Sequence, residues 1–155
     1  MEISIVAAAP ADAGEVLTVQ RAAFLAEGAL NDSFTLPPLT ETLDEVRAAI
    51  DDTGLVFLVA RQEHRLVGSV RGRVTDGTGH VSRLSIAPDL QGQGLGRRLM
   101  TAIEQALAGQ VQRFELFTGA TSAANLALYH KLGYVDCGWG PGAAAAGITY
   151  LEKRV

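Results

Sequence analysis

Residues 84–100 read LSIAPDLQGQGLGRRLM, and this stretch has the residue types and spacing to hold an anion. A short apolar run stops at Pro88. A polar loop follows, in which Gly92, Gly94 and Gly96 alternate with Gln93 and Leu95 after Gln91, and it runs into a helical pattern carrying Arg97 and Arg98. The alternating glycines remove side chains where a diphosphate must approach the backbone. A strand, a phosphate-sized loop and a helix start, in that order, let several backbone N–H groups converge on one anion, and the helix dipole adds positive potential. The two arginines just inside the helix can supply charge. A dinucleotide loop is excluded, because the spacing is G-x-G-x-G and no acidic residue ends a following strand at the required distance. A P-loop is excluded for want of Gly-Lys-Ser/Thr. The alternative is a plain strand-to-helix turn.

The strand before the loop ends at Pro88, which cannot donate to a ladder. Its alternation places His80, Ser82, Leu84 and Ile86 on one face and Val81, Arg83, Ser85 and Ala87 on the other. A second segment runs from Ser122 through Asn125-Leu126-Ala127-Leu128-Tyr129 to Leu132-Gly133-Tyr134. Alone, Tyr129 reads as a half-buried helix aromatic. Together the two segments say more. The order Q-x-x-G-x-G after a strand ending in Ala-Pro resembles the coenzyme A loop of the GNAT superfamily of acyl-CoA N-acyltransferases. The pattern Asn-Leu-x-Leu-Tyr-x-x-Leu-Gly-Tyr is similar to that family's other signature. The resemblance covers the chain from about residue 55 to its last residue, and the first fifty residues match only in a strand-helix-helix outline.

The resemblance implies acetyl-CoA as co-substrate, with no metal. Its diphosphate would lie on Gln91, Gly92, Gln93, Gly94, Leu95, Gly96 and Arg97. Its pantetheine arm would lie on the backbone of Leu84, Ser85 and Ile86, on a strand that splays from its neighbour. Tyr129 would be the catalytic residue, its hydroxyl near the sulfur of the leaving thiolate. Many members carry an asparagine seven residues before this tyrosine, where Ser122 stands here; in another form it stands four before, and Asn125 fits that form. The implied reaction is direct acetyl transfer to a primary amine, and the alternative is a non-catalytic acyl-CoA-binding module of the same fold. A backbone N–H at residues 84–86 would serve the thioester carbonyl as oxyanion donor. With reference pKa values of ~10 for tyrosine and ~8.5 for a thiol, full proton transfer to the thiolate is uphill by ~2 kcal/mol, so Tyr129 fits a hydrogen-bond donor better. The general base is not evident: His80, Ser82, Glu115 and Glu27 each also read as solvated or structural side chains. The lone Cys137 reads as a small buried hydrophobe.

The elements that must position these groups follow from periodicity and punctuation. Strands are expected at residues 3–6, 55–61, 66–74, 80–87, 114–118, 134–137 and 148–153. Helices are expected from residue 11 or 12 to about 25, from an N-cap at Thr40 to about Ile50, from about 96 to 107, and over 125–132 with Gly133 as a left-handed stop. Asp76-Gly77-Thr78-Gly79 signals a hairpin. Residues 27–38 read as a break, with Gly28, Asn31, Asp32, Pro37 and Pro38 opposing regular structure. Residues 138–147, almost devoid of side-chain bulk apart from Trp139, read as a loop. The order predicts an α/β (α+β) fold: a mixed, mostly antiparallel central sheet with helices on both faces, GNAT-like, in a single domain over 1–155. The acceptor is expected between residues 27–40 and 138–147, opposite the cofactor.

Composition sets the outer bounds. The chain has 155 residues, 48% apolar and 19% charged, enough for a substantial core. A net charge of −4 argues against a general nucleic-acid binder and requires any polyanion to be held by a local site. One cysteine excludes an intrachain disulfide framework. No segment reaches the ~18 apolar residues of a membrane span, and the acidic beginning of the chain does not read as a signal peptide. A cytoplasmic location is expected, with a small-molecule or peptide amine acceptor, no nucleic acid and no membrane as partners, and a homodimer left open.

Overall fold

The computed structural model describes residues 2–30, 32–137 and 147–155. Its strands are β1 (Ile3–Ala7), β2 (Leu55–Gln62), β3 (Arg65–Thr75), β4 (Thr78–Ile86), β5 (Arg113–Gly119), β6 (Val135–Asp136) and β7 (Ile148–Arg154). They form one sheet in the order β1-β2-β3-β4-β5-β7-β6. Every pairing is antiparallel except that of β4 with β5. The β3–β4 hairpin turns on Asp76 and Gly77, whose φ angles of 49° and 77° suit the right-handed twist of the strands they join.

The helices are α1 (Ala13–Leu30), the single turn α2 (Pro37–Thr40), α3 (Leu43–Asp51), α4 (Leu95–Leu107) and α5 (Ala123–Lys131). Helices α4 and α5 cover one face of the sheet. There Leu95, Leu99, Ile103 and Leu107, four apart in sequence, bury with Val70, Val81, Leu116 and Tyr129. Helices α1 and α3 cover the other face, where Val16 and Val46 pack on Phe57, Val59 and Leu66. The architecture is thus a mixed, mostly antiparallel sheet with helices on both faces.

Three local expectations are corrected. Residues 27–30 are not a break, because α1 continues to Leu30. Gly28 lies inside this helix, and its missing side chain serves a close approach. Ser33 N–H donates to Gly28 O at 2.8 Å, and a Cβ on Gly28 would stand 2.8 Å from Ser33 O. The N-cap of α3 is Thr42, not Thr40: Glu45 N–H donates to Thr42 Oγ1, and the Glu45 carboxylate accepts from Thr42 N–H. Finally, the faces of β4 are not continuous. Its register with β3 slips between Arg71↔Ser82 and Ser69↔Ser85, and Arg83 takes a left-handed φ of 56°. This bulge reverses the alternation. Val81, Leu84 and Ile86 therefore all pack on the α4 side, and His80 and Ser82 do not share their face.

Candidate active site

β4 and β5 pair over three residues only, from Thr78↔Arg113 to His80↔Glu115. Beyond that point both strands continue, but β5 keeps its register with β7 over Arg113–Gly119 while β4 stays with β3. The strands part, and the opening between them is a cavity of about 480 Å³. Leu84 borders it from β4 and Thr118 from β5, Tyr129 and Asn125 from α5, and Phe24 and Glu27 from α1. Leu36 and Pro38, from the segment around α2, close its far side. The opening thus connects the two faces of the sheet.

Tyr129 is 7% exposed and its ring meets that of Tyr134 edge-on at 6.1 Å. Burial pushes its phenol well above the ordinary tyrosine range, and the neighbouring charge of Glu27 pushes the same way. The hydroxyl therefore stays protonated and is held as a donor. Tyr134 faces elsewhere, donating to Glu104 Oε2 at 2.7 Å, with Lys153 bonded to the other oxygen of Glu104 at 2.8 Å. It is the brace of the Tyr129 ring.

Glu27 lies on a helix, not in the loop expected from sequence. Ser122 Oγ donates to one of its oxygens, and Asn125 Nδ2 donates to the other at 3.2 Å. Asn125 also bonds Thr118 Oγ1 at 3.3 Å. The Ser122 and Asn125 side chains thus tie α5 to α1 across the cavity. Of the other groups considered as a base, Ser82 borders the cavity. His80 and Glu115 stand at the last paired rung, and Glu115 is held by Arg113 at 2.8 Å. Cys137 is half-buried rather than core.

The glycine loop follows a 3₁₀ turn at Pro88–Leu90 and leads into α4. Gly92 and Gly94 hold φ of 77° and 86°, and a Cβ on either would meet nothing within 4 Å. Both conditions suit a backbone that a bulky anion must touch: a conformation open to glycine, and clear space beside it. Gln91 Nε2 braces the loop on Ile86 O at 3.3 Å, and Gln93 Nε2 on Asp89 O at 3.4 Å. Gly96 serves differently. It is helical, and a Cβ there would stand 3.2 Å from Leu128 and 3.9 Å from Leu84, so it lets α4 approach α5 and β4. Arg97 is exposed beside the loop. Arg98 points away, donating to Ile3 O at 2.8 Å, and so does not supply charge to the loop. The Leu95 side chain is in the core, which leaves only its backbone for a ligand. Ser85 is buried, with Oγ donating to Arg83 O at 3.1 Å, and Ile86 packs on the α4 side. Of the residues singled out in sequence, Leu84, Asn125 and Tyr129 meet in the cavity. The loop residues form the adjoining rim.

The model of the acetyltransferase (GNAT) domain family matches residues 27–154. The chain belongs to the GNAT family. Similar curated proteins include an IAA acetyltransferase of Azospirillum brasilense, 36% identical over 63% of this chain and 66% of its own length. A mycothiol acetyltransferase of Kineococcus radiotolerans is 31% identical over 60% of this chain, and the match spans only 32% of that protein. The matches thus span less than two thirds of each relative. Among solved structures, the PaiA N-acetyltransferase of Thermoplasma acidophilum, in complex with coenzyme A, superposes over 100% of both chains with a TM-score of 0.85 at 16% identity. The ribosomal-protein-S18-alanine N-acetyltransferase of Escherichia coli superposes over 99% of this chain and 94% of its own with a TM-score of 0.76 at 17% identity. These likenesses establish the shared fold.

Sequence reasoning missed a buried polar group behind the cavity: Gln20, Glu41 and Arg71, with Arg83 at its edge. A signal was available, since Val70-Arg71-Gly72-Arg73-Val74 places arginines on one face of a strand with apolar neighbours. The expected cavity wall at residues 138–146, including Trp139, lies outside the described residues, while Gly147 and Ile148 border the cavity. Among the described residues no helix is long and apolar enough to cross a membrane.

Proposed function

We propose that this protein transfers an acetyl group from acetyl-CoA directly to a primary amine. The observation that carries this reading is the parting of β4 and β5, which opens one cavity to Tyr129 on one face of the sheet and to Glu27 on the other. Acetyl-CoA supplies an activated thioester. The N–H groups of residues 91–96 at the start of α4 would hold its diphosphate, with Arg97 beside them. The backbone of Leu84, Ser85 and Ile86 would hold the arm, unpaired with β5 along this length. Within the cavity a backbone N–H of β4 would polarise the carbonyl, and the Tyr129 hydroxyl would donate to the sulfur as the C–S bond breaks. The amine would enter from the side of α1 and α2, lose a proton, and attack the carbonyl carbon. Glu27, at that mouth, is the carboxylate best placed to receive the proton, directly or through water.

The test is paired. Calorimetry measures acetyl-CoA affinity for the wild type and for Gly94→Asp, which sets a side chain and a negative charge against the diphosphate. Thiol release is then followed over a panel of primary amines. Affinity should fall at least about tenfold in the variant, since one lost charge-assisted hydrogen bond is worth about 1.5–3 kcal/mol. Unchanged affinity overturns the loop assignment. Binding with no thiol release for any amine would make the chain an acyl-CoA-binding module.

A further inference from the structure

The cavity has two charged side chains on its described wall, Glu27 and Arg83, and Arg83 is the one no step of acetyl transfer uses. Its setting is unusual. It occupies the β4 bulge with φ of 56°, a conformation that a long side chain adopts at a cost. Its side chain is 21% exposed, and its Nε is buried without a hydrogen-bond partner. Among the described residues its one ion-pair partner is Glu41, at 3.8 Å from Nε, too long for a hydrogen bond.

Glu41 is already committed. Arg71 grips it with two bonds, Nη2 to Oε1 at 2.6 Å and Nη1 to Oε2 at 3.0 Å, and Gln20 Nε2 adds a third to Oε1 at 3.0 Å. Arg71 itself is 6% exposed and lies 4.7 Å over the Phe57 ring. Arg71 thus takes the short bonds to Glu41 and leaves Arg83 only longer-range attraction, to Glu41 and to Glu45, so the guanidinium that reaches the cavity keeps its donors unbonded among the described residues. A guanidinium in low dielectric with open donors is a site for an oxyanion, and its planar fork matches a carboxylate. Phe24, Leu36, Pro37 and Pro38 give that wall apolar surface, with Ser33 and Ser82 beside them.

We propose that Arg83 recognises a carboxylate on the acceptor, so that the acceptor class is an amino-acid-like amine with an apolar body. The amine lies toward Glu27 and Tyr129, the carboxylate on Arg83, and the apolar body against the Phe24 and Pro38 wall. This inference rests on the acetyl-transfer reading for the amine, but not for the carboxylate.

The experiment uses matched triplets with three apolar bodies: phenylalanine, phenethylamine and 3-phenylpropionate; leucine, isopentylamine and 4-methylpentanoate; tryptophan, tryptamine and indole-3-propionate. Binding to the coenzyme-A-saturated protein is measured by calorimetry for all nine, and thiol release from acetyl-CoA for the six amines. In at least one triplet the amino acid should have a KM about 10–100-fold below that of its decarboxylated amine, the range for a hydrogen-bonded charge. The carboxylic acid without an amine should bind and compete. Arg83→Asn, chosen because asparagine tolerates the left-handed backbone, should erase that preference while acetyl-CoA affinity stays at the wild-type value; Arg83→Lys should restore part of it. Equal behaviour of acid and decarboxylated members in all three triplets overturns the proposal. So does a preference that survives Arg83→Asn. Arg83-dependent binding of the carboxylic acids with no thiol release from any amine would uphold the carboxylate site and reject acetyl transfer. Release without carboxylate preference would do the reverse.

Discussion

Replacing Tyr129 by phenylalanine removes one oxygen and leaves the packing alone, because the ring is buried and its contact with Tyr134 is edge-on at 6.1 Å. Melting should shift little, so any loss of rate reports on chemistry. The size of the loss follows from the protonation state. Burial and then the charge of Glu27 raise the phenol, so in the resting protein it carries its proton throughout the working pH range. A neutral hydroxyl donating to a developing thiolate makes a charge-assisted hydrogen bond, worth about 1.5–3 kcal/mol, or about 10–150-fold in rate. Complete proton transfer could reach ~10²–10⁴-fold, but a raised phenol pKa makes that transfer still more uphill. Single-turnover thiol release, with enzyme in excess over acetyl-CoA, isolates the step. The expected loss is about 10–150-fold with acetyl-CoA affinity within a factor of about two. The pH profile adds an independent check: the wild-type rate should show no fall from Tyr129 ionisation near the ordinary value of ~10. A single-turnover rate for Tyr129→Phe within about twofold of wild type would remove the hydroxyl from the mechanism. A wild-type rate falling with a midpoint near 10, absent in the variant, would refute the argument from burial.

Two further outcomes concern the scaffold. Glu41→Gln leaves Arg71 and Arg83 without their shared carboxylate and should cost about 3 kcal/mol or more in chemical denaturation, since an unpaired buried charge remains. The wild-type carboxyl is raised by burial, but hydrogen bonds from Arg71 and Gln20 outweigh this and hold it below the usual range. Its contribution is therefore present above the unfolded value of ~4.3 and lost as pH falls through the lower folded value, so Glu41→Gln should flatten the acid limb of the stability curve. Gly28→Ala gains up to about 1 kcal/mol in helix propensity but sets its methyl 2.8 Å from Ser33 O, a backbone atom with little room to yield. The net should be a loss of about 1–2 kcal/mol, visible as a melting point lower by about 2–8 °C; an unchanged or higher melting point would show that the 32–34 turn yields freely.

The parts of the fold legible in sequence were those with strong period and clear punctuation. The α4 stripe of Leu95, Leu99, Ile103 and Leu107 is buried as its spacing requires, and Asp76-Gly77 turns the hairpin it signals. Errors came where one residue type serves two ends. Gly28 reads as part of a break because glycine usually costs a helix stability, yet here it is the residue that lets the returning chain touch the helix. The β4 faces were misread because a bulge adds a residue without changing composition. Only pairing partners reveal it, and no local pattern in His80–Ile86 carries that information.

That bulge also separates the legible from the illegible part of the site. The glycine loop and the Tyr129 helix are local motifs, each within a dozen or so residues, so sequence carries them whole. The charge on the acceptor wall is assembled from Gln20 and Glu41 on the α1–α3 side and from Arg71 and Arg83 on two strands, brought together only by the fold. Composition hints at it through arginines placed among valines in β3. What decides the chemistry is the partition of one carboxylate between two guanidiniums, and that is a property of distances: 2.6 Å for Arg71 and 3.8 Å for Arg83. A chain of net charge −4 can thus place one guanidinium, Arg83, on the wall of a cavity that also holds the carboxylate of Glu27. The overall charge favours cationic amines approaching from solution, whereas the cavity favours those that also carry an anion. If both hold, acceptor selection lies in the Arg83 contact and not in the long-range field, and raising the ionic strength should slow cationic amines lacking a carboxylate more than it slows amino acids.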